Sequence, residues 1–182
     1  MIGLESLRWS LTCAFAAATV FHLVRVLRPG AGDRVSEALH LFMGGSMIVM
    51  IWPWGATVPP SVWATGFTLS TGWFLSRAVL AAGRRVAPIH FAAATAAMLW
   101  MSAAMPAQHP SMPNMPEMSG YSQTAWISAT LGGYLVAAAL WWLVRGMHLR
   151  PSAAAAADAP NWSSVCHATM SAAMGLALLA MS

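Results

Sequence analysis

Two stretches of this 182-residue chain share one spacing of imidazole and thioether side chains: HLFMGGSM at residues 40–47 and HATMSAAM at residues 167–174. Both read His-x-x-Met-x-x-x-Met. On an α-helix, offsets of three and seven residues return to within about 60° of the starting direction. His40, Met43, Met47 and Met50 therefore form one stripe, and His167, Met170 and Met174 another. His90, Met98, Met101 and Met105 make a looser stripe, within about 80°. Thioether sulfur is a soft ligand that selects Cu(I) over zinc, magnesium or calcium, and imidazole also suits copper. The competing explanation is packing, because Met fills helix interiors well. The His residues fit that explanation less readily, since ionisable groups at membrane depth are costly and mark functional sites.

A second segment repeats the chemistry without a helix. Residues 105–123 read MPAQHPSMPNMPEMSGYSQ and carry His109, Met112, Met115 and Met118. Pro110, Pro113 and Pro116 recur every third residue, which favours an extended polyproline path. That path has three residues per turn, so Met112, Met115 and Met118 share one side. Gln108, Asn114 and Glu117 make the tract polar, and Met in a polar loop has no core to fill.

The elements that position these residues are set by hydropathy. The composition is 58% hydrophobic and only 8% charged, against about 25% charged in a soluble domain. Six apolar runs occupy residues 9–27, 38–55, 61–80, 88–105, 124–144 and 163–181. Each is close to the ~20 residues needed to cross a hydrocarbon core about 30 Å thick. Backbone groups in lipid must satisfy one another, so the runs are helices. The expected fold is all-α, an integral membrane bundle of six transmembrane helices in a single domain over residues 1–182, with residues 106–123 as its longest polar insert.

All nine basic residues are Arg. Arg25, Arg28 and Arg34 flank the first break between runs, Arg77, Arg84 and Arg85 the third, and Arg145 and Arg150 the fifth. The second and fourth breaks carry none, and Arg8 is the one exception to the pattern. Positively charged loops stay cytoplasmic. The expected protein is a multi-pass plasma-membrane one with both termini and residues 106–123 outside. His22, three residues before Arg25, then lies at the same inner depth as His40, His90 and His167, so four spans bring a His to one layer. The sequence pI near 10.1 reports this topology rather than nucleic-acid binding, for which no basic, aromatic-interleaved surface exists. The partner expected throughout is the lipid bilayer.

Cys13 and Cys166 fall at opposite depths, so no disulfide is expected between them. Each reads as a small buried apolar residue. Neighbours on a helix point about 100° apart, which puts Cys166 and His167 on different faces. No Ser-His-Asp set, paired carboxylates, phosphate loop or CxxC is present, so no enzymatic activity is expected.

Six spans in a short chain, His22 ahead of an Arg cluster, the paired His-x-x-Met-x-x-x-Met motifs and the Met/His-rich outer loop resemble the actinobacterial membrane family catalogued as domain of unknown function 5134. The resemblance covers most of the chain. It implies an actinobacterial plasma-membrane protein and no mechanism. The residues themselves point to Cu(I) binding for transport, storage or delivery to a cuproenzyme. The outer loop would capture the ion, the Met stripes would pass it inward, and the His layer would hold it. A periplasmic copper chaperone, the cuproenzyme or another membrane subunit would be the protein partner. Two alternatives stand beside this one. Facing His pairs such as His40 with His167, or His22 with His90, could ligate haem b. The chain could also be a non-catalytic membrane subunit whose Met and Trp are packing.

Overall fold

The computed structural model describes residues 2–28, 33–80, 85–104, 120–148 and 162–180. They form six helices: α1 (Ile2–Leu27), α2 (Arg34–Ile51), α3 (Pro60–Leu80), α4 (Val86–Ala104), α5 (Gly120–His148) and α6 (Trp162–Leu179), with a 3-10 turn at Pro53–Thr57. No strand occurs among the described residues. The fold is an all-α membrane one. Residues 5–27, 34–51, 86–103 and 124–146 are long and apolar enough to cross a bilayer. In α3 and α6, Ser, Thr, Gly and Trp dilute the apolar residues.

The helix ends follow local chemistry. Asp33 caps α2, its carboxylate accepting from the backbone N–H groups of Val35 and Ser36, which satisfies donors that the first turn leaves without partners. The second apolar run continues to residue 55, but α2 stops at Ile51. Pro53 offers no N–H and forces its predecessor away from helical angles, and Trp52 is extended at φ −97° and ψ 148°. At the other extreme, α1 and α5 run past their apolar windows and carry Arg8 and Arg145 in the helix.

The helices divide into two compact units, Met1–Val58 with Leu135–Met174, and Pro59–Tyr134 with Gly175–Ser182. In the first, α1 and α2 are an antiparallel hairpin in steady register. The Trp9 and Trp52 rings meet at 5.0 Å, and the Trp52 indole N–H donates to Thr12 Oγ1 at 3.2 Å. Farther along, Thr19 abuts Gly44, where any Cβ would run into the Thr19 hydroxyl. Beyond that contact His22 meets His40, and Arg25 meets Glu37. In the second unit, α3 packs on α4 through the buried Phe74, whose ring lies 5.4 Å from Phe91, and through a Thr71–Thr95 hydroxyl hydrogen bond of 2.8 Å. Gly132 lets α5 approach the end of α6, since a Cβ there would lie 3.0 Å from the Gly175 carbonyl oxygen. Leu23, Leu69, Leu75, Val79, Leu140 and Leu176 point outward, an apolar exterior that lipid covers and water would not. Trp9, Trp54, Trp126 and Trp162 are exposed near helix ends, as in interfacial belts.

Candidate functional site

Three imidazoles from three helices gather in the first unit. His22 comes from α1, His40 from α2 and His167 from α6. Ring centroids lie 4.7 Å apart for His22 and His40, 5.0 Å for His40 and His167, and 5.7 Å for His22 and His167. The first pair is stacked, with 17° between planes. His22 and His40 are 1% and 4% exposed, and His167 is half-buried. Trp142 of α5 closes one side, its ring 5.4 Å from His167. Trp142 is only 7% exposed, because the His167 side of α6 packs against it.

Hydrogen bonds reach all three rings, and those on His22 and His40 fix the Nδ1 side. His22 Nδ1 stands 2.6 Å from Glu37 Oε2, and the other Glu37 oxygen is 2.7 Å from Arg25 Nε. His40 Nδ1 stands 2.7 Å from the Ser36 carbonyl oxygen. A carbonyl and a carboxylate only accept, so each Nδ1 carries a proton and donates it. In the neutral ring the lone pair is then on Nε2. The Cys166 sulfur lies 3.6 Å from His22 Nε2 and 3.9 Å from the Ala18 carbonyl oxygen. His167 Nε2 is 3.3 Å from Ser163 Oγ.

Such an arrangement can do definite chemistry. An imidazole that ligates a metal typically donates its second N–H to a carboxylate or backbone carbonyl, which fixes the tautomer and raises ligand basicity. Both His22 and His40 are held this way. His22 and His40 stack while His167 is tilted to both, and among the described residues no three His, Cys, Asp or Glu side chains are grouped to hold a metal ion.

The other residues singled out in the sequence divide between the units. Met43, Met47, Met170 and Met174 are buried in the first, on the helices that carry His40 and His167. Met50 is half-buried. His90, Met98 and Met101 are buried in the second unit, where His90 Nδ1 lies 3.2 Å from the Tyr134 hydroxyl. Met105 and the loop residues His109, Met112, Met115 and Met118 lie outside the described residues.

Three participants escape a reading of the sequence alone. Glu37 precedes His40 by one helical turn and Arg25 follows His22 by one, so the spacing holds a signal for each. Cys166 offers none. Assigning neighbouring residues to different faces presumes one functional face, whereas α6 is packed on several sides and directs Cys166 and His167 to the same cluster.

The chain matches the profile of a family described as Domain of unknown function (DUF5134) over residues 32–181. That span begins after α1 and takes in Glu37, His40, Cys166 and His167. The chain is also similar to an uncharacterized protein of Mycobacterium bovis and to uncharacterized proteins of two Mycobacterium tuberculosis strains. Each is 32% identical over 96% of this chain and 95% of the relative. No solved structure matches the chain.

Proposed function

The chain belongs to the family described as Domain of unknown function (DUF5134), and from that premise we propose that it is a plasma-membrane protein that binds Cu(I) through His22, His40 and His167. Transport, storage or delivery to a cuproenzyme would follow from the same chemistry. The observation that carries the proposal is the pair of oriented imidazoles. Glu37 and the Ser36 carbonyl hold two Nδ1 protons, which leaves Nε2 as the ligating atom on both rings. Buried Met on α2 and α6 supplies soft neutral sulfur along the same helices, and weak sites in series let an ion move where a single deep site would trap it. The ring spacing supports an ion over haem b. In bis-His ligation each imidazole nitrogen sits about 2 Å from the iron on opposite faces, which sets the ring centroids about 6 Å apart, and the centroids here are closer, at 4.7 and 5.0 Å. With Arg-bearing breaks inside, the Met/His-rich residues 106–123 face outward and receive copper from a periplasmic donor.

Anaerobic Cu(I) titration against a chromophoric chelator tests this directly. Replacing Met43, Met47, Met170 and Met174 together by Leu conserves volume, and such swaps cost less than about 1.5 kcal/mol each. Copper occupancy should fall sharply while the helical fold survives, and H40L or H167L should lower affinity further. Full copper retention in these variants, or a Soret band in the purified protein, would overturn the proposal.

A further inference from the structure

We propose that Cys166 is a ligand of this centre and that its thiolate makes the centre selective for a monovalent soft cation. This rests on the copper reading above and adds a residue and a selectivity to it.

Two observations carry it. The first is a distance. A metal held about 2.0 Å from an imidazole nitrogen and about 2.3 Å from a thiolate, at a tetrahedral angle, sets nitrogen and sulfur about 3.5 Å apart. Cys166 Sγ and His22 Nε2 stand 3.6 Å apart, and that nitrogen is the one left to ligate when Nδ1 donates to Glu37. The pair already has the separation that an ion between them demands.

The second is charge. Glu37 is paired with Arg25, so their charges cancel. The imidazoles and any Met sulfur bind as neutral groups. One thiolate remains, on the buried Cys166 against the Ala18 backbone. Cu(I) or Ag(I) with one thiolate gives a neutral centre, whereas Zn(II) leaves a net positive charge. An uncompensated charge in an apolar interior is strongly disfavoured. On binding, the Cys166 S–H bond breaks, the sulfur–metal bond forms and the proton passes to water. No oxidation state changes.

The test uses the full chain in detergent, in a C13A background so that Cys166 is the only thiol. Anaerobic loading with Cu(I) should produce ultraviolet thiolate-to-copper charge-transfer absorption. It should also protect Cys166 from alkylation. In C13A/C166A the absorption should vanish, and affinity for Cu(I) and Ag(I) should drop at least tenfold. C13A/C166M keeps a soft sulfur but no negative charge. It should recover part of the Cu(I) affinity without the absorption, and it keeps the experiment decisive if the alanine variant folds poorly. In C13A, Zn(II) should fail to displace Cu(I). Equal Cu(I) affinity and equal spectra in C13A and C13A/C166A would overturn this inference and leave the His-based proposal standing. A C13A protein that takes up no Cu(I) at all would overturn both.

Discussion

Glu37 uses both carboxylate oxygens, one on the His22 ring and one on Arg25, and that double duty makes its role separable. In E37Q the amide oxygen still accepts from His22 Nδ1, but the negative charge is gone. Loss of a partner that orients a ligand costs about 10–100-fold in metal affinity, so chelator competition should show a drop of that size. E37A also strips the acceptor and should cost a further ~1–3 kcal/mol in unfolding measurements. The double reversal R25E/E37R restores an ion pair but sets a cation against His22, so stability should return without affinity. Recovery of both together would make Glu37 structural only. At this scale the sequence was readable wherever a helical stripe repeats, as in His40 with Met43 and Met47. It was unreadable wherever the partner sits on another helix. Nothing between residues 23 and 165 of the linear order announces that Cys166 will reach His22.

The hairpin of α1 and α2 sets the register that brings His22 opposite His40, and Gly44 is its tightest point. In G44A the new methyl meets the Thr19 hydroxyl. Overpacking of this kind costs about 1–3 kcal/mol, and Cu(I) affinity should fall with it as the helices separate. Removing the obstacle in G44A/T19A should restore most of both. Independent, additive effects in thermal unfolding would show that the close approach sets nothing. The presence of helices was legible from the apolar runs. The end of α2 was displaced from residue 55 to Ile51 because hydropathy counts Trp52, Pro53 and Trp54 as apolar and is blind to the missing N–H of Pro53. Which helix Gly44 would meet depends on tertiary pairing, and no periodicity encodes that.

Across the whole molecule, charge placement predicts sidedness. With Arg at breaks one, three and five, residues 106–123 should be extracytoplasmic. A reporter thiol at position 111, made as S111C in a C13A background, should react with a membrane-impermeant reagent in intact cells. Labelling only after lysis would invert the topology and remove the loop as a copper-capture segment. Membrane character was legible from composition alone, since 58% hydrophobic and 8% charged residues cannot cover a soluble domain.

The pairing of Arg25 with Glu37 bears on how the nascent chain enters the bilayer. Taken singly, the end of α1 presents a guanidinium and a buried imidazole, and the start of α2 presents a carboxylate. Each such group raises the cost of partitioning from the translocon into lipid. Joined across the hairpin, the charges cancel and the His22 ring finds its acceptor. The first two helices are thus suited to leave the translocon together.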